Sequence, residues 1–68
     1  MITEFVTFFG NYGHRYSEVI FVASCVAAPW LVDFFEEGKL VQTIFIENLE
    51  QAEKLAMDFA FQGKIDEA

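Results

Sequence analysis

The sequence predicts a small α+β fold: an antiparallel sheet of three to four strands in meander order, with a C-terminal α-helix packed on one face. Two observations carry this prediction. Residues 36–39, Glu-Glu-Gly-Lys, lie between two apolar runs, which is typical of a β-hairpin. Residues 48–63 place apolar side chains at helical spacing between a capping residue and a glycine. The alternative is a ββαβα order, in which residues 30–37 form a second helix.

Residues 2–9, ITEFVTFF, and 17–26, SEVIFVASCV, predict the first two strands. Both are rich in β-branched and aromatic residues, which suit a pleated and half-buried surface. The second run has apolar side chains on both faces, as in a central strand that is covered on both sides. Cys25 is expected in that strand as a small buried hydrophobic residue. Turn-forming residues at 10–16 separate the two strands.

Residues 30–37, WLVDFFEE, fit two interpretations. Proline is tolerated in the first turn of a helix, so a helix that begins at Pro29 is compatible with the chain. However, Asp33, Glu36 and Glu37 would then crowd the negative C-terminal end of a helix barely two turns long. We therefore favour a strand, and the ββαβα order stays open as the alternative.

A tight turn joins the third and fourth predicted strands. Gly38 occupies the third place of this connection, where a type I turn closed by a β-bulge needs a positive φ. Residues 40–46, LVQTIFI, are again β-branched and aromatic, so they predict the fourth strand.

The helix has the most regular pattern in the chain. Asn48 is a candidate cap, Glu50 lies near the positive end of the helix dipole, and Gly63 supplies a stop. The apolar face consists of Leu49, Ala52, Leu55, Ala56, Phe59 and Ala60. We expect residues 1–68 to form a single small domain, with 64–68 as a frayed tail.

Charge and composition restrict the class of protein. The chain has 68 residues and a net charge of −7, from eleven acids against four bases, which argues against direct binding to nucleic acid. A lone cysteine cannot form an intramolecular disulfide, and a free thiol fits a reducing compartment. The sequence has neither an apolar run long enough to span a membrane nor a signal-peptide pattern. We therefore expect a cytoplasmic protein with no membrane partner.

No pattern in the sequence indicates catalysis. His14 is the one plausible general base, but no nucleophile-and-acid pattern accompanies it. The stretch from Gly10 to Gly13 lacks the spacing of a phosphate-binding loop. The acids lack the spacing of a calcium loop, and one histidine with one cysteine is too few for a structural zinc site. The sequence therefore predicts a non-catalytic protein without cofactor or metal.

Two binding functions fit these restrictions. In the first, the acids imitate the charge of nucleic acid and block the basic groove of a nucleic-acid-handling protein or defence complex, as phage-encoded inhibitors do. The candidate contact residues are the acids Asp33, Glu36, Glu37, Glu47, Glu50, Glu53 and Asp58 and the loop residues Tyr12, Arg15 and Tyr16. In the second, the protein is a homodimer or an accessory subunit that buries an exposed apolar sheet face, and its charge serves solubility only.

Overall fold

A four-stranded antiparallel sheet in meander order, with one C-terminal helix packed on it, forms the fold. The computed structural model describes residues 5–10 and 14–65, with the side chain of residue 5 excepted. The elements are β1 (Phe5–Phe9), β2 (Arg15–Phe21), β3 (Trp30–Glu36), β4 (Lys39–Ile46) and α1 (Leu49–Gln62). The strands lie in the order β1-β2-β3-β4, and α1 packs mainly against β2 and β3. The predicted meander is confirmed.

The ambiguous segment at residues 30–37 forms a strand over residues 30–36, so the ββαβα alternative is wrong. β3 pairs with β2 on one side and with β4 on the other. Val32 and Phe34 are fully buried beneath α1, whereas Leu31, Asp33 and Phe35 between and beside them are only half-buried. This alternation has the two-residue period of a strand. Hydrogen bonding on both edges outweighs the short helical spacing that the sequence also allows.

β2 is shorter than predicted. It ends at Phe21, and residues 22–29 form a loop instead of continuing the strand to residue 26. The Val22 N–H donates to the Pro29 carbonyl oxygen at 2.7 Å, and the Cys25 N–H donates to the Val22 carbonyl oxygen at 3.0 Å. These bonds close a turn, so the prediction of a buried strand cysteine is wrong: Cys25 is half-buried in the loop. Val26 in the same loop is 86% exposed.

The β3–β4 turn also differs from the prediction. Both central residues have positive φ, 54° at Glu37 and 80° at Gly38, which is the signature of a two-residue type I′ turn. A bulge does occur, but farther from the turn: Phe34 lies opposite Gln42 and Phe35 opposite Leu40, so β4 carries one extra residue there. The type I′ turn matches the right-handed twist of the strands it joins.

The predicted caps of α1 are confirmed. The Asn48 side chain accepts a hydrogen bond from the Gln51 N–H at 3.1 Å, and Gly63 ends the helix in the left-handed conformation with φ 74°. The Gly63 N–H donates to the Phe59 carbonyl oxygen at 2.9 Å. In the part of the chain that the structure describes, no helix has the length and apolarity that crossing a bilayer requires.

The core lies between α1 and the inner face of the sheet. The Phe34 and Phe59 rings meet edge to face with centroids 5.1 Å apart, a favoured aromatic arrangement. Ser17 is fully buried, and its hydroxyl donates to the Ala56 carbonyl oxygen at 2.6 Å, which fixes α1 against β2. The buried apolar residues are Val19, Val32, Phe34, Ala52, Leu55, Ala56, Phe59 and Ala60.

The residues that follow β1 and α1 lie close to this core. Gly10 follows β1 so near the Ala60 carbonyl oxygen of α1 that a Cβ at residue 10 would clash with it. Ile65 packs against the core, although the sequence places it in a frayed tail. Residues 2–4 of the predicted first strand and residues 66–68 of the predicted tail lie outside the described residues.

Candidate functional site: the open face of the sheet

The sheet has a second face that α1 does not cover. Because side chains alternate along a strand, residues that flank the buried Ser17, Val19, Val32 and Phe34 point away from the helix. The strand register sorts these outward side chains into three rows that cross the sheet. We call this surface the open face and name its rows the loop row, the acidic row and the aromatic row.

The loop row consists of Ile20, Leu31 and Phe45, which lie opposite one another on β2, β3 and β4. Phe45 is 48% exposed. It also lines a shallow hollow formed with loop residues 25–28, all of which are Cys, Val or Ala. The β2–β3 loop therefore extends the apolar surface of the loop row beyond the ends of β2 and β3.

The acidic row crosses the middle of the face and consists of Thr7, Glu18, Asp33 and Thr43. Glu18 and Asp33 are directly opposite one another on neighbouring strands, an arrangement in which like charges repel. Both residues are half-buried. The Thr43 hydroxyl donates to Asp33 Oδ1 at 2.7 Å, which orients that carboxylate on the face.

The aromatic row consists of Phe9, Tyr16, Phe35 and Leu40. The Tyr16 and Phe35 rings stack with centroids 4.7 Å apart and an interplanar angle of 6°, and Phe9 contacts Tyr16 with centroids 5.7 Å apart. Phe9 is 65% exposed and Leu40 is 56% exposed. The open face thus places a row of acids between two apolar rows.

None of the four lysines and arginines of the chain lies in these rows. Arg15 shares the face of the buried Ser17, and Lys39 lies at the β3–β4 turn. Lys54 is on α1, where it pairs with Asp58 at 3.2 Å, and Lys64 follows the helix. The negative charge of the acidic row is therefore not balanced by a basic side chain within the rows.

The residues predicted to bind a partner do not form one continuous surface. Asp33 and Tyr16 lie on the open face. Glu36 and Glu37 lie at the β3–β4 turn, and Glu47 lies between β4 and α1. The acids of the helix, on the other side of the sheet, are Glu50, Glu53 and Asp58. Tyr12 lies outside the described residues.

Arg15 lies beneath the C-terminal end of α1, on the opposite face of the sheet from Tyr16. Its guanidinium carbon lies 3.0 Å from the position that a Cβ on Gly63 would occupy. A positive charge there complements the negative end of the helix dipole, and the last turn of α1 has no basic residue of its own. Its buried Nε has no hydrogen-bond partner within the described residues.

Glu18 and the aromatic residues Phe9, Phe35 and Phe45 lie on the open face but were not predicted from the sequence as binding residues. The available signal was the two-residue alternation in the β2 and β3 segments, which places Glu18 and Asp33 on the same faces as their apolar neighbours two residues away. That signal needed the strand register before it could define rows, because register decides which residues of different strands are neighbours.

Comparisons with known proteins assign no class. No family model, curated protein or solved structure matches this chain. Within residues 5–10 and 14–65, no group of three or more His, Cys, Asp or Glu side chains could hold a metal ion. The geometry of the chain itself is therefore the basis for a proposed function.

Proposed function

We propose that this chain is a non-catalytic protein-binding module that binds a basic protein partner with the open face of its sheet. One observation carries the proposal: the sheet face that α1 leaves open holds two apolar rows with a pair of acids between them, and no lysine or arginine lies in these rows. An antiparallel sheet that merely faces water has polar side chains along that face. Contiguous exposed apolar groups on a protein surface are typical of interaction sites.

The side chains of the aromatic row support a protein ligand. The Tyr16 and Phe35 rings stack on one another and so restrict each other's rotation. They therefore form a rigid surface that loses little conformational entropy on binding. Aromatic residues are enriched at the centres of protein interfaces. Phe9 and Leu40 expose apolar surface at the two edges of the same row.

The charge of the chain supports a basic partner. A net charge of −7 attracts positively charged surfaces and accelerates the encounter with them. Nucleic-acid-handling proteins have such surfaces, so an inhibitor that imitates nucleic acid is one form of this function. In that form the acids of the turn and of α1 would contribute to binding together with Asp33.

A homodimer is the second candidate, and the exposure of Phe9, Leu40 and Phe45 favours it. Four strands spaced ~4.8 Å apart and rows spaced ~6.8 Å apart give the open face a projected area of roughly 400 Å², and its accessible surface is larger because side chains protrude. Stable interfaces bury about 800 Å² of accessible surface on each partner. A stable dimer would therefore use the whole open face, and contact with the β2–β3 loop would add to the buried surface.

A matched pair of variants tests the proposal. Phe45 is 48% exposed on the open face, and Phe61 is 46% exposed on α1. We expect Phe45→Ser to weaken the binding of the captured partner by about tenfold and Phe61→Ser to leave it unchanged. The measurement is capture from a lysate of the source organism by each full-length variant, with affinity for the recovered partner then determined by calorimetry.

Three further outcomes would contradict the proposal or replace it. Equal loss of partner in both variants would show that the open face is not the contact surface. A light-scattering mass of twice 7.8 kDa, abolished by Phe45→Ser, would support the homodimer instead. Displacement of the partner by competing DNA, together with weaker binding by a Glu50→Gln, Glu53→Gln variant, would support nucleic-acid mimicry by the helix and turn acids.

A further inference from the structure

We infer that the acidic row is a receptor for an arginine side chain of the partner, and that apolar side chains on both sides of this arginine contact the loop row and the aromatic row. This inference rests on the proposed function and names the chemistry that the open face recognises. It commits to a guanidinium group, carried by a protein or peptide, as the occupant of the acidic row.

The opposed carboxylates of Glu18 and Asp33 require a cation when the face is covered. The two residues lie directly opposite one another on the neighbouring strands β2 and β3. None of the chain's lysines or arginines lies in the rows to neutralise their charges. A neutral partner would remove water from both carboxylates without replacing it, which is unfavourable. A cation placed between the two carboxylates would offset that loss and also relieve their mutual repulsion.

A guanidinium group fits this site better than an ammonium group. It is planar and donates two parallel hydrogen bonds to carboxylate oxygens, and Asp33 is already oriented by the Thr43 hydroxyl at 2.7 Å. The neighbouring row places the edges of the Tyr16 and Phe35 rings beside the acidic row, where the apolar stem of an arginine side chain can pack against them.

The spacing of the rows specifies what lies beside the arginine. Neighbouring rows are two residues apart along each strand, a distance of ~6.8 Å. An extended peptide has the same two-residue repeat on each of its own faces. The open face therefore fits the pattern apolar-x-Arg-x-apolar, in which the two apolar side chains meet the loop row and the aromatic row.

A second copy of this chain cannot supply the arginine from its own open face. The rows of that face contain no basic residue, so stacking two open faces in register would bring acidic row against acidic row. Each copy also has a net charge of −7. Charge complementarity thus favours a basic partner of different sequence over self-association through this face.

The test is a titration of the isotope-labelled full chain, followed by NMR, with acetylated and amidated peptides of sequence Leu-Thr-Arg-Thr-Leu. Peptides with lysine or citrulline in place of arginine, and the reordered peptide Arg-Thr-Thr-Leu-Leu, are the comparisons. We expect shift changes at the amides of Glu18, Asp33 and Thr43. Citrulline removes the charge but keeps the shape, so it should bind about tenfold more weakly. The affinities of the lysine peptide and the reordered peptide should lie between those of the arginine and citrulline peptides.

A matched pair of variants separates local from general charge. Glu18→Gln with Asp33→Asn removes two charges from the acidic row, and Glu50→Gln with Glu53→Gln removes two from α1. We expect only the first variant to bind the arginine and citrulline peptides equally. Circular dichroism of both variants verifies that they are folded.

The outcomes distinguish this inference from the proposed function. If all peptides shift open-face amides equally, and Phe45→Ser weakens them all, the open face binds peptides but the guanidinium inference is wrong. If the arginine peptide at millimolar concentration shifts only α1 amides, or none, both the inference and its binding surface are overturned. If both charge-removal variants lose the arginine preference equally, the attraction is general and the acidic row has no special role.

Discussion

The two faces of the sheet are built from alternate residues of the same strands, yet they differ in charge and exposure. On the covered face, Val19, Val32 and Phe34 pack against α1 and are almost completely buried. On the open face, the neighbouring residues Glu18 and Asp33 lie between rows of exposed apolar side chains. The covered face meets the needs of packing, because these apolar groups lie in one core with the helix.

The difference between the faces is informative because solubility alone does not explain the open face. A face that only contacts water does not need exposed phenylalanines such as Phe9 and Phe45. The covered face therefore contributes most of the stability, and the proposed function assigns recognition to the open face. Substitutions at matched positions on the two faces test this division.

The largest expected difference separates two neighbouring phenylalanines. Phe34 is fully buried on the covered face, and Phe35 is half-buried on the open face. We expect Phe34→Ala to reduce the free energy of unfolding by about 4 kcal/mol, because it leaves a cavity beneath α1 and removes the contact with Phe59. Phe35→Ala should cost about 1 to 2 kcal/mol, mainly through the stack with Tyr16.

Urea denaturation followed by circular dichroism measures both changes. A chain of this length has a total stability of about 5 kcal/mol, so Phe34→Ala should keep only about 1 kcal/mol and unfold at low urea concentration. Equal costs for the two substitutions would show that the open face contributes to the core, and the division of the faces would then fail.

An intermediate effect is expected at the β3–β4 turn, which sets the register and thereby decides which side chains reach each face. Gly38 has φ 80° with open space around it, so Gly38→Ala should cost about 1 kcal/mol through backbone strain alone. Glu37 has φ 54°. Glu37→Asn should increase the free energy of unfolding by about 0.5 kcal/mol, because asparagine followed by glycine favours a type I′ turn. Denaturation midpoints of the two variants check the signs; a loss of stability in Glu37→Asn would contradict the turn assignment.

The smallest expected effect concerns the charges on the two sides of the sheet. Glu18→Gln should stabilise the protein by about 0.5 kcal/mol, because it removes the repulsion from Asp33. Glu50→Gln should destabilise it by about 0.5 kcal/mol, because Glu50 lies in the first turn of α1, where the dipole favours an acid. Thermal melts at low and at high salt should show both differences shrinking with salt. Stabilisation by Glu50→Gln, or its absence in Glu18→Gln, would contradict the charge argument.

The sequence by itself determined the elements whose signals are local. Asn48 and Gly63 fixed the ends of α1, because capping and the left-handed stop involve only residues within one helical turn. The glycine of the β3–β4 connection located the hairpin. The acids in residues 30–37 correctly predicted a strand, because acids at the C-terminal end of a helix are unfavourable to the helix dipole.

The tertiary structure decided what depends on partners distant in the sequence. β2 stops at Phe21 because hydrogen bonds between Val22, Cys25 and Pro29 close a loop, and an apolar run carries no mark of that end. The position of Arg15 beneath α1 follows from the packing of helix on sheet. The rows of the open face exist only through the register of the strands. A sequence shows which residues alternate along one strand, but only the pairing of strands makes Glu18 and Asp33 neighbours.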